Sequence, residues 1–221
     1  MREVFQQELA DVQSGLVAIS KDVHSAITRA TAAFNHSDVG LADQVISDDL
    51  KIDESTLRVD DLGVEILLMQ SPVARDLRFI VATMRITAAL ERMGDLAAHI
   101  AQLARLRYPE ASAPADLRDR FTRVGELDVA QAERVVRLLE TEESDLIDEI
   151  IEADDAVDAI HKEVLEFLTQ HEQAGDIPAS QIVDATLANR YFERFSDHAV
   201  SIARRMRYMQ EGSIEDIEPG E

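Results

Sequence analysis

Glu91 and Asp95 stand four residues apart in Leu90-Glu91-Arg92-Met93-Gly94-Asp95-Leu96-Ala97. Glu193 and Asp197 repeat that spacing in Phe192-Glu193-Arg194-Phe195-Ser196-Asp197-His198-Ala199. On a helix the two acids of each pair project from one face, a turn apart. Like charges at that spacing disfavour the helix unless something positive lies beside them. Two further pairs have the same spacing, Asp49 with Asp53 and Asp154 with Asp158. The chemistry open to such residues is cation binding through oxygen, or neutralisation by nearby arginines such as Arg78, Arg85, Arg92 and Arg194.

The settings of these pairs favour the first. Steps of three and four read Ala42, Ile46, Asp49, Asp53, Leu57 in one segment and Leu77, Val81, Met84, Ala88, Glu91, Asp95, Ala98 in the next. Later they read Ile147, Ile151, Asp154, Asp158, His161, Leu165, Leu168, and then the more polar Ile182, Thr186, Arg190, Glu193, Asp197, Val200. The acids thus fall on or beside faces expected to be buried. Four carboxylates gathered in a partly dry site cannot all stay ionised without cations. All-oxygen ligation suits Mg, Mn, Ca or ferric iron. His99, His161 and His198 are weaker candidates as nitrogen ligands, and each is more simply read as a hydrogen-bonded core or surface residue.

Six long helical segments must position these residues. They are expected at about 2–34, 39–70, 72–107, 115–140, 143–171 and 178–210. Ser37 or Asp38 is the expected cap of the second. Ser71 is the expected cap of the third, with Pro72 at its first position. Tyr108-Pro-Glu-Ala-Ser-Ala-Pro114 is the linker, and the acidic stretch 212–221 is expected to be disordered. The motif pairs recur at an offset of 102 and the Asp pairs at 105, which marks an internal duplication. The expected architecture is therefore all-α, with two tandem antiparallel three-helix bundles at 1–108 and 115–211. In each half the two acid pairs lie at nearly equal distances from the intervening turn, so they are expected to come level across the hairpin: Asp49 and Asp53 with Glu91 and Asp95, and Asp154 and Asp158 with Glu193 and Asp197.

Composition sets the outer bounds. The 221 residues include 44 acids against 22 Lys and Arg, a net charge of −22. That excess argues against phosphate-backbone contacts with nucleic acid and against docking on anionic lipid. Gly (8) and Pro (5) are scarce, which favours long helices, and the absence of Cys rules out thiolate ligation. No run reaches the roughly 18 apolar residues of a membrane span. With no secretory signal pattern at the start, a cytoplasmic protein is expected.

The motif Glu91-Arg92-Met93-Gly94-Asp95, its echo Glu193-Arg194-Phe195-Ser196-Asp197, and the stretch Gln70-Ser-Pro-Val-Ala-Arg-Asp-Leu-Arg78 resemble the PhoU family of phosphate-uptake regulators. The resemblance covers about residues 1–210. It implies a cytoplasmic, usually homodimeric regulator without enzymatic activity, peripheral at the inner membrane through its transporter. Its implied partners are the ATPase of the phosphate ABC transporter and a sensor histidine kinase, on both of which it acts as a negative regulator. It also implies metal ions (Mg, Mn, Zn or Fe) at the acid motifs, with Glu91, Asp95, Glu193 and Asp197 as ligands and Asp49, Asp53, Asp154 and Asp158 as their partners. The family often carries Asn after the motif, and this chain has His99 and Ser201 there. The rival class is a carboxylate-bridged di-metal oxidase or ferritin-like bundle. That class needs Glu three residues before His on two helices, and no histidine here has it.

Overall fold

The computed structural model describes residues 2–175 and 177–212. It contains six α-helices: α1 (Arg2–His36), α2 (Val39–Gln70), α3 (Ala74–Arg107), α4 (Arg118–Thr141), α5 (Asp145–Ala174) and α6 (Ala179–Glu211). A single 3-10 turn, Ala115–Leu117, precedes α4. Among the described residues there is no strand. Among those residues, too, no helix is long and apolar enough to cross a membrane. The expected all-α architecture of six long helices is present, with each helix close to its expected bounds. The acidic stretch from Ser213 onward lies outside the described residues.

Local chemistry explains most of the helix ends. Asp38 caps α2, its side chain accepting from the Leu41 N–H at 3.0 Å. Gly175 and Gly212 end α5 and α6 at φ 73° and 75°, where a Cβ would be strained. Ser71 departs from expectation. It closes α2 in the left-handed region at φ 47°, and α3 begins at Ala74 without a side-chain cap. A residue that terminates one helix in that conformation is not in the extended geometry needed to cap the next.

Helices α1, α2 and α3 pack on one another, as do α4, α5 and α6. The two groups then join along α1 with α4 and along α3 with α6. The join is apolar at its centre. Phe34 meets Phe121 edge-on at 5.2 Å and Phe192 at 6.0 Å, and Phe121 lies 6.2 Å from Phe192. Arg107, at the end of α3, forms an ion pair with Asp184, buried in α6. One continuous hydrophobic cluster therefore runs through all six helices.

The core line of α2 is Ala42, Val45, Ile52, Thr56, Val59, Gly63 and Ile66. The stripe expected from three- and four-residue steps drifts off it. Leu57 is 64% exposed, Leu77 41% and Leu165 38%. Ala88 is exposed too. A strict walk of such steps departs from the 3.6-residue period, and a bundle helix facing two neighbours has a broad apolar arc. The acids border that arc rather than lying at its middle.

Candidate metal centre

In the first half the acids converge. One carboxylate oxygen from each of Asp49, Asp53 and Asp95 can be chosen so that all three lie within 4.8 Å of one another, and all three residues are half-buried. The first two come from α2 and the third from α3, so the pairs are level across the hairpin. Glu91, a turn before Asp95, is half-buried and lines a cleft of roughly 380 Å³ with Asp53, Thr56, Leu57, Asp60, Thr87 and Ala88. Close approach of the helices depends on Gly94. A Cβ there would stand 3.0 Å from Asp49 Oδ1 and 3.2 Å from Ile52.

The electrostatics are those of a site short of positive charge. Burial, reinforced by Asp53, Asp95 and Glu91, pushes the Asp49 carboxyl up to about 6. Burial also raises Asp53, with Asp95 adding to the shift and Arg92 opposing it. Glu91 is raised by burial, against the pull of Arg92. Arg92 bonds Asp95 at 2.8 Å and approaches Glu91 at 3.6 Å, but it is 61% exposed and lies at the outer edge. Inside, Asp49 Oδ1 and Asp53 Oδ1 are buried without a hydrogen-bond partner. Buried, orphaned carboxylate oxygens are costly unless a proton or a cation meets them. The donor set, all carboxylate oxygen from two helices, fits a hard cation.

The second half does not repeat this arrangement. Arg190 grips Glu193, its Nη1 2.6 Å from both carboxylate oxygens. Lys162 stands 3.6 Å from Asp158, and Arg194 3.7 Å from Asp197. Burial raises the Asp154 carboxyl, with Asp197 and Asp158 adding to the shift, and burial raises Asp197, with Glu193 and Asp158 adding to it against Arg194 and Arg190. The four acids are thus neighbours. Among the described residues, however, only the first-half trio gathers three ligand atoms so tightly.

The histidines stay outside both clusters. His99 is exposed and stacks on Tyr191, ring centroids 5.1 Å apart. Burial, with Arg194 and Arg92 nearby, pushes His198 down to about 4 and keeps it neutral. The His161 carbonyl accepts from Asn189, while its Nδ1 is buried without a partner.

Residues 16–104 and 121–206 each match the family model described as the PhoU domain. The chain belongs to the PhoU domain family. A Mycobacterium leprae relative named phosphate-specific transport system accessory protein PhoU homolog 1 is 34% identical over 222 residues, covering 100% of this chain and 99% of its own. The Mycobacterium tuberculosis protein named PhoU homolog 2 is 34% identical over 214 residues, covering 97% and 100%. The crystal structure of PhoU from Pseudomonas aeruginosa superposes with a TM-score of 0.89 at 29% identity, covering 95% of this chain and 100% of that one. PhoU from Streptococcus pneumoniae, 20% identical, shares the fold with a TM-score of 0.86 and coverage of 95% and 98%.

Within this PhoU-domain duplication, three polar features escaped the sequence reading. Asp128 on α4 is fully buried and both of its oxygens lack partners. Burial raises its carboxyl well above the usual range, and Asp154 adds to the shift. Beside it, Gln131 donates to the Ile150 carbonyl at 2.9 Å and to Ser196 Oγ at 3.3 Å, and a Ser196 hydrogen bond also reaches Asp154. The third feature is the Arg190 clamp. The signals were present: Asp128 interrupts the run Phe121, Val124, Ala132, Val135, and Arg190 sits three residues before Glu193.

Proposed function

We propose that this PhoU-domain protein is an accessory regulator of a phosphate transport system, acting by binding rather than by catalysis. In this reading Asp49, Asp53 and Asp95, assisted by Glu91, hold a metal ion from the group Mg, Mn, Fe and Zn. The observation that carries the metal assignment is the convergence of three half-buried carboxylates from two helices within 4.8 Å. The two orphaned oxygens inside it add support. The transport assignment rests on full-length relatives whose names carry that role.

A bound cation would neutralise the trio and tie α2 to α3, so that metal loading alters both the rigidity and the charge of one acidic face. The second cluster, with Glu193, Asp197, Asp154 and Asp158, is a weaker site that competes with its own arginine and lysine partners. The partners we assign are the ATPase of the transporter and a sensor histidine kinase at the cytoplasmic face, engaged by a homodimer as a negative regulator. An acidic surface suits partners that present basic side chains.

Elemental analysis of the natively purified protein tests the metal. Wild type is expected to carry at least one equivalent, and Asp49→Ala with Asp53→Ala to lose it; equal metal in both would overturn the assignment. The regulatory role is tested in the cell of origin. Deletion is expected to raise phosphate-starvation reporter output in phosphate-rich medium, and unchanged output counts against it.

A further inference from the structure

In a chain with twice as many acids as bases, several arginines form no ion pair among the described residues, and three of them, Arg78, Arg85 and Arg205, lie where α3 meets α6. Helices α3 and α6 pack together, and two contacts fix their register. The Arg78 guanidinium lies on Gly212, its Cζ 3.3 Å from where a Cβ would stand. Twenty-one residues along α3, His99 stacks on Tyr191, which lies twenty-one residues back along α6. The helices are therefore antiparallel, and seven-residue steps between those contacts set Arg85 opposite Arg205 and Arg92 opposite His198. Arg205 and Arg85 do sense each other: burial and then Arg85 hold the Arg205 pKa down.

Arg92 has Asp95 on its own helix, but Arg78, Arg85 and Arg205 have nothing comparable. At three- and four-residue steps their neighbours are the uncharged Ala74, Val81, Ala82, Ala88 and Ala89 on α3 and Ser201, Ile202, Tyr208 and Met209 on α6, together with the positive Arg75. Among the described residues none of the three forms an ion pair, and Arg78 Nε and Arg205 Nη1 are buried without a partner. The C-terminal end of α6 accounts in part for Arg78, since a cation is favoured there. It does not account for Arg85 facing Arg205. Arg85 is exposed, but Arg78 Nε and Arg205 Nη1 are buried and unbonded, and like charges so held across a helix contact favour an anion between them.

We propose that Arg78, Arg85 and Arg205 bind a tetrahedral oxyanion of the phosphate class between α3 and α6. Guanidinium forks match two oxygens at a time, and a dianion answers two facing cations better than a single carboxylate does. The site sits on a different flank of α3 from Glu91 and Asp95, and Arg85 and Asp95 are ten residues, roughly 15 Å, apart along the helix. It does not depend on the metal reading. The oxyanion is either free inorganic phosphate or the phosphoryl end of a larger molecule.

Calorimetric titration of the full chain, in buffer free of phosphate and sulfate, tests this with inorganic phosphate and with ADP. Saturable binding is expected, weakened at least about tenfold in Arg85→Gln and in Arg205→Gln. Arg85→Gln, which relieves repulsion, is also expected to melt no lower than wild type without ligand. Binding of ADP alone places the phosphoryl group on a larger molecule. The proposal is overturned by absence of binding for both ligands, by binding that survives both substitutions, or by a lower melting temperature of unliganded Arg85→Gln. It is equally overturned if phosphate binds only after residues 213–221 are removed, which would make that acidic segment the occupant.

Discussion

The two copies of one motif have taken opposite solutions to the same electrostatic problem. In the first half the acids are drawn together and left short of cations. Ala88 stands where the second half has Arg190, and Gly94 where it has Ser196. In the second half Arg190 occupies Glu193, Ser196 bonds Asp154, and Asp128 replaces Val23 in the core. Duplication supplied two equivalent frames. A few residues then decided which half keeps its acids short of positive charge and which carries its own counter-charges. The presence of a motif does not by itself define a site; the residue three positions before it matters as much.

The largest effect is expected from removing the first-half acids. Asp49→Ala with Asp53→Ala is expected to weaken Mn²⁺ binding by about a hundredfold or more, read by metal titration, since two of three ligands go. If Glu193→Ala with Asp197→Ala costs as much, the asymmetry between the halves is broken. Next comes Asp128→Val, which gives α4 the residue α1 has at the same place. It is expected to stabilise the fold by about 1–3 kcal/mol in urea unfolding, because a buried polar group without partners disappears.

Exchanging the clamp is expected to act more gently. Ala88→Arg is expected to weaken first-half metal binding by about tenfold, and Arg190→Ala to strengthen second-half binding by a similar factor. The smallest effect lies in pH. In the metal-free protein Asp49 holds its proton more tightly folded than unfolded. Its contribution to stability is complete below the unfolded value near 3.8 and is lost as pH rises through about 6. Melting temperature is expected to show that decline, and Asp49→Asn to flatten it. Added Mn²⁺ is expected to reverse the trend, because the cation binds the ionised form.

Much of this was legible in the sequence. Scarce Gly and Pro with clear periodicity gave six helices, and equal spacing from the turn placed Asp49 and Asp53 level with Asp95. The core register was less legible, since Leu57, Leu77 and Leu165 fit a stepped stripe yet face solvent. A helix touching two neighbours does not declare which edge of its apolar arc is dry. Ser71 misled because the same residue type caps one helix and terminates another, and only φ distinguishes them. Asp128 is not legible as a core residue, because an acid in a helix reads as solvent-facing and only its surroundings show that it is buried.

The aromatic junction of Phe34, Phe121 and Phe192 has a consequence for folding. Each ring comes from a different helix, one from the first copy and two from the second, so each copy covers part of the other's apolar core. Chains built by duplication often melt in two steps; this one is expected to melt in a single cooperative step. Expressed separately, either half would expose a face of large apolar side chains to water. On this expectation neither copy can be lost without exposing the other, and the two bundles make one folding unit.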